Sequence, residues 1–295
     1  MNLAIKAFIL ITLSMINQTD LSHVDEYPLI SEASANSEGV VERRHHSQRE
    51  QMIITSQLSE MEVSAAAQSI TNTGRSMIIL RQTGDLPPQD INVYSAMIEK
   101  FSELYIDSNL ISIPDQWEPS SETASLMLRD IANKDISLSL KCCSLKSLYI
   151  WSKGIDEIGI SGNLGSLESI HLSGGLTRID ADWENAKSLR NIAIGNAHRF
   201  ENLPDDIFAG GSVSHFIVLN SPVKKLPDLT HSINSLESMT IENTSISFFA
   251  KTLAEIDFHG GVSISIPDNI DVMVDPYICE SSFKWTSIRF VNFCK

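Results

Sequence analysis

The sequence predicts an α/β repeat fold, in which short parallel strands stack side by side and are joined by irregular or short helical returns. Three observations carry this expectation. Phe101, Thr123, Leu145, Leu167, Leu189, Val213, Leu236 and His259 are spaced by 22, 22, 22, 22, 24, 23 and 23 residues. Three residues after each stands Leu104, Leu126, Leu148, Ile170, Ile192, Phe216, Met239 or Val262, and five after each stands Ile106, Leu128, Ile150, Leu172, Ile194, Val218, Ile241 or Ile264. All sixteen of these are apolar in a chain that is 42% hydrophobic, so chance agreement is on the order of one in a million. Apolar alternation over five residues makes a half-buried strand. One such unit cannot bury its own inner face, so copies must stack into a solenoid with a continuous core.

From the N-terminus, residues 7–16 form a ten-residue apolar run behind Lys6. That is too short to cross a bilayer and has the length of a signal-peptide core, so residues 1–19 are read as a signal peptide and the protein as exported. No later stretch is long and apolar enough for a membrane span. Residues 20–74 are rich in Ser, Glu, Gln and Asn. They lack a sustained apolar period and are expected to be a largely disordered leader. Within it, residues 50–70 have weak helical spacing through Met52, Ile53, Leu58, Met61 and Val63, and Arg43-Arg44-His45-His46 reads as a solvated run.

Residues 75–274 hold about eight to nine copies of the repeat, the first of them a cap. Ile78 and Leu80 take the inward places of that degenerate first copy, and Leu86-Pro87-Pro88 closes it. Residues 89–100 have helical spacing, with Ile91, Tyr94, Met97, Ile98 and Phe101 turned inward. A short helical return is expected over residues 183–189, and Gly210-Gly211 and Gly260-Gly261 mark tight turns. Cys142 falls at a core place of its copy and Cys143 points away from it. Residues 275–295 form a C-terminal cap.

The chain carries a net charge of −15 and has a pI near 4.9. Nucleic acid and anionic membrane surfaces demand clustered Lys and Arg, so neither is expected as a partner.

The period and skeleton resemble the leucine-rich-repeat family. The copies that carry the resemblance are Phe101-x-x-Leu104-x-Ile106-x-x-Asn109-x-Ile111, Leu145-x-x-Leu148-x-Ile150 and Leu236-x-x-Met239-x-Ile241. Leu203-Pro204-Asp205-Asp206-Ile207-Phe208 and Leu226-Pro227 look like descending halves of such copies. The resemblance covers roughly two-thirds of the chain and speaks to fold far more than to function. It implies a leucine-rich-repeat solenoid with a concave parallel strand face. In the family an asparagine commonly stands eight residues after the repeat start. Here that place holds Asn109, Ile131, Lys153, Gly175, Ala197, Ser221, Thr244 and Pro267, so irregular turns are expected. The resemblance also implies a closing disulfide, for which Cys279 and Cys294 stand beyond the last copy. A loop of that size is worth about 3 kcal/mol in the chain-entropy view.

No nucleophile motif, phosphate loop, dinucleotide fingerprint or zinc spacing is present. Gly159-Ile160-Ser161-Gly162-Asn163 lacks the strand–turn–helix setting of a nucleophile elbow. His171, His198, His215, His231 and His259 fall in different copies and are read as sharing no face. Effectors with leucine-rich repeats can carry a ubiquitin-ligase domain, and the flanking sequence leaves no room for one. The expectation is a non-catalytic chain with no cofactor and no metal.

Binding residues are sought at the outward places of each strand. Tyr105, Asp107, Met127, Arg129, Tyr149, Trp151 and His171 occupy consecutive copies, with Ile217 and Leu219 further on. Aromatic residues and Arg are enriched in binding hot spots. The expected function is protein or peptide binding on the concave strand face by a secreted or surface module. Two other readings stay open: an effector acting inside host cells, with the leader as its secretion signal, and a structural or adhesion module. Asn17 and Asn243 head glycosylation triplets.

Overall fold

The computed structural model describes residues 41–46, 49–70, 76–82, 84–141, 144–267, 269–280 and 287–288. Its dominant element is a 12-stranded sheet. The strands are β1 (Val41–His46), β2 (Arg49–Ile54), β3 (Ser76–Leu80), β4 (Glu103–Asp107), β5 (Ser125–Arg129), β6 (Ser147–Ser152), β7 (Ser169–Gly174), β8 (Asn191–Ala197), β9 (His215–Ser221), β10 (Ser238–Thr244), β11 (Gly261–Ser265) and β12 (Ser287–Ile288). Spatial order follows chain order. β1 and β2 are antiparallel, and all later neighbours are parallel. Among the described residues helix is scarce: α1 (Glu60–Gln68), α2 (Ser95–Ile98), α3 (Pro276–Glu280) and a few 3-10 turns. Among the described residues, no helix is long and apolar enough to cross a membrane.

Register follows the sequence period. Leu104, Leu126, Leu148, Ile170, Ile192, Phe216, Met239 and Val262 pair in one continuous row. A parallel row runs from Ile106 to Ile264, and every member of both rows is buried. Side chains two apart on a strand share a face, so both rows point to one side and the residues between them point to the other. Each buried Leu or Ile contributes about 1.5–3 kcal/mol.

The connections return on the inner side. Asp135–Leu140, Glu157–Gly162 and Arg178–Ala181 form a three-stranded parallel sheet. Its Ile136, Leu138, Ile158, Ile160 and Ile179 belong to the same buried cluster as the main rows. These returns are therefore more regular than expected. Alternation at Ile136/Leu138 and Ile158/Ile160 gives them strand character. The return over residues 183–189 contains a 3-10 turn at Trp183–Asn185, with Trp183 buried.

The reading of residues 20–74 as a disordered leader is corrected over 41–46 and 49–70. Met52 and Ile54 pair with Ile78 and Leu80, which extends both inward rows by one strand. Arg49–Ile54 is thus strand, and the helix of this region is confined to Glu60–Gln68. Ser59 opens that helix with a capping box: it accepts from the Glu62 N–H, while the Glu62 carboxylate accepts from the Ser59 N–H at 2.8 Å. Tyr94 ties the segment down. Its buried hydroxyl accepts from the Leu58 N–H at 3.3 Å and from Gln82 Nε2 at 2.8 Å, and donates to Gln89 Oε1 at 2.6 Å. Residues 89–100 divide into Gln89–Asp90, a 3-10 turn at Ile91–Tyr94 and α2, with Ile91, Tyr94, Met97, Ile98 and Phe101 all buried.

The expectation of irregular turns is corrected for three successive copies. Asn196, Asn220 and Asn243 stand seven residues after their starts, not eight, and all have positive φ, at 54°, 48° and 52°. Asn243 Nδ2 donates to Asn220 Oδ1 at 3.0 Å, and Asn220 Nδ2 donates to Asn196 Oδ1 at 3.1 Å. Asparagine is among the few residues that tolerate this left-handed conformation. Gly174 fills the equivalent place one strand earlier, with φ +94°, and a Cβ there would lie 2.1 Å from the Ser152 carbonyl oxygen. Residues 1–19, Cys142, Cys143, Cys294 and the Cys279 side chain lie outside the described residues, and so do the signal-peptide and disulfide expectations.

Candidate functional site

The outward side of the sheet is built by strand pairing. One row reads Ile53, Ile79, Tyr105, Met127, Tyr149, His171, Ala193 and Ile217 across β2 to β9. A second row reads Asp107, Arg129, Trp151 and Ser173 across β4 to β7. An irregularity in the β7–β8 pairing follows Leu172, beyond which Gly195 opposes Leu219 on β9.

Tyr105, Met127, Tyr149, Trp151 and His171 are half-buried, not open to solvent as an outward face implies. Their neighbours in the rows cover them. Tyr149 stacks on His171, with ring centroids 4.6 Å apart and 22° between the planes. Burial pulls the His171 pKa down to about 4, so the imidazole is neutral near pH 7. Ile217 and Leu219 are buried, and with Ala193 they form a small apolar cluster separate from the main core.

A polar group stands on the β4–β6 side. Asp107 lies 3.6 Å from Arg81 and 3.8 Å from Arg129, and it accepts from the Tyr105 hydroxyl at 3.3 Å. Arg129 also reaches Asp130 at 3.7 Å and places its guanidinium carbon 4.8 Å from the Trp151 ring centre. Burial opposes the Arg129 charge, but Tyr105 and Asp107 beside it outweigh that and raise its pKa. Burial also raises the Tyr105 pKa, so its hydroxyl stays protonated and donating.

Between the aromatic side and the Ile217 side lies a depression of about 330 Å³. Tyr149, Trp151 and His171 form one wall, Ile217 the other, and Ala193 and Gly195 the floor. Lys153, Asn196 and His198 stand at its rim. The reading that the histidines share no face is corrected, since His171 and His198 line the same depression. Of the sequence-derived site residues, Met127, Tyr149, Trp151, His171 and Ile217 line it, while Tyr105, Asp107 and Arg129 form the adjoining polar group. Leu219 clusters with Ile217 and Ala193, and the Cys279 side chain and Cys294 lie outside the described residues.

Sequence reasoning missed Lys153, Asn196 and His198. Lys153 and His198 belong to the turns and Asn196 to the end of β8, seven to nine residues after a repeat start, where strand alternation no longer signals direction. A run of small residues, Ser173-Gly174-Gly175 beside Ala193 and Gly195, is the available signal for a floor flanked by larger side chains. Further along the face, His215 Nδ1 and Ser238 Oγ oppose each other at 2.7 Å on β9 and β10, which fixes the imidazole against the sheet. Among the described residues there is no group of three or more His, Cys, Asp or Glu side chains that could hold a metal ion. The chain matches no protein-family model and no curated protein.

Proposed function

We propose that this chain is a leucine-rich-repeat-type solenoid that binds a protein or peptide across the outward side of its strands, without catalysing a reaction. The observation that carries the reading is the in-register row of Tyr105, Met127, Tyr149 and His171 beside the Ala193/Gly195 depression. A sheet side that faced only water would gain nothing from such side chains. Aromatic residues next to Arg129 have the composition of a binding hot spot. The net charge of −15 disfavours a polyanionic partner. Export remains part of the proposal and rests on the apolar run at residues 7–16; N-terminal sequencing of the native protein tests it by finding or missing a start near residues 17–23.

The binding reading is tested with the full chain and a displayed random-peptide library. Clones selected on the wild type should lose binding to a Tyr149→Ala/Trp151→Ala variant by about 2 kcal/mol or more. Clones that bind both proteins equally would move the function to another surface.

A further inference from the structure

The depression and its rim differ in chemistry along the strand direction, and the difference defines an occupant. Ala193, Gly195, Ile217 and the Tyr149/Trp151 side are apolar. The turn end carries Lys153, Asn196 and His198, all donors at the mouth of an apolar site in a strongly acidic chain. Lys153 is exposed, and among the described residues it has no ion pair. The neighbouring carboxylate of Asp156 is engaged by Arg199 at 2.6 Å. Arg129, by contrast, already shares Asp107, Asp130 and the Trp151 ring, so its charge is committed within the face.

Gly174 and Gly175 lie between Lys153 on one side and His198 on the other, and the His198 N–H donates to the Gly174 carbonyl at 3.1 Å. A Cβ on Gly174 would lie 2.1 Å from Ser152 O, and one on Gly175 would lie 2.4 Å from Lys153 O. The turns pack this closely only because both positions are glycine, and the packing brings the Lys153 and His198 turns to either side of Gly174. A site of about 330 Å³ stands at the small end of the usual range for ligand sites, roughly 300–1,000 Å³, which suits one large side chain.

On the reading of this face as a peptide-binding surface, we propose that the depression receives the C-terminal residue of a polypeptide. The large apolar side chain of that residue lies on Ala193 and Gly195, and its free carboxylate is held by Lys153 with His198 and Asn196. Capture of a terminal carboxylate is an established mode of peptide recognition. Residues upstream of the terminus then extend over Tyr149 and Met127.

The test titrates the full chain with an acetylated heptapeptide ending in phenylalanine, with the same peptide as its C-terminal amide, and with N-acetyl-phenylalanine. The acid should bind about tenfold more tightly than the amide. Lys153→Met, a change at an exposed side chain, should remove that preference by weakening the acid to the level of the amide. Equal binding of acid and amide, an unaffected preference in Lys153→Met, or no binding of either peptide overturns the proposal. N-acetyl-phenylalanine binding as tightly as the heptapeptide would also overturn it, in favour of a small free acid. Peptides that bind equally as acid and amide, yet fail on Tyr149→Ala/Trp151→Ala, defeat the carboxylate site alone. Peptides indifferent to that double change count against the peptide-binding face itself.

Discussion

Tyr149 and His171 lie ring against ring on β6 and β7, 4.6 Å between centroids, at the centre of the outward side. The stack keeps the imidazole from solvent, and its pKa of about 4 lies below the ordinary 6.5 because burial disfavours the charged ring. The unfolded chain therefore takes up this proton at a higher pH than the folded chain does. The stability due to neutral His171 is fully present above about pH 6.5, falls as the pH drops from there to about 4, and stays lost below. Carboxylates titrate in the same window, so a His171→Phe variant is the reference. Urea unfolding should show the stability of the wild type relative to this variant shrinking across that window; a constant difference would refute the desolvated ring.

Adjacent residues of β6 face opposite ways, and substitutions should separate them. Leu148→Ala and Ile150→Ala remove fully buried side chains and should each cost about 2–5 kcal/mol. Tyr149→Ala loses a half-buried ring and its stack, a cost of about 1 kcal/mol. Thermal and urea denaturation of the three variants measures the contrast. A Tyr149→Ala loss equal to that of Leu148→Ala would place the ring in the core.

The N-terminal strands should behave as part of the fold. Ile54 is fully buried beside Leu80 of β3, so Ile54→Ala is expected to cost about 2–5 kcal/mol in urea unfolding. A value within about 0.5 kcal/mol, typical of surface sites, would return this segment to the status of a leader.

Asn220 should stabilise its turn in two ways, through the left-handed backbone and through the ladder to Asn196 and Asn243. Asn220→Ala loses both and should cost about 2 kcal/mol. Asn220→Gly retains the backbone conformation and should recover about half of that loss. Equal losses in the two variants would remove backbone strain from the account.

Period and alternation are local properties of the chain, and they determined the two inward rows, the register of β3 to β11 and the identity of the outward residues. Leu148 and Ile150 had to share a side opposite to Tyr149, whatever the surroundings. Proximity across the outward side needed the tertiary structure. The sequence places Lys153 and His198 in separate turns, and only the packing of neighbouring turns around Gly174 and Gly175 brings them to one rim. The same holds for β2, whose two inward residues make too short a pattern to stand out from polar sequence. Pairing with β3 and the buried Tyr94 hydroxyl hold it in place. A strand's facing is set by its own backbone geometry, whereas a cavity is set by what the neighbouring strands lack, here the side chain absent from Gly195 and the small one of Ala193.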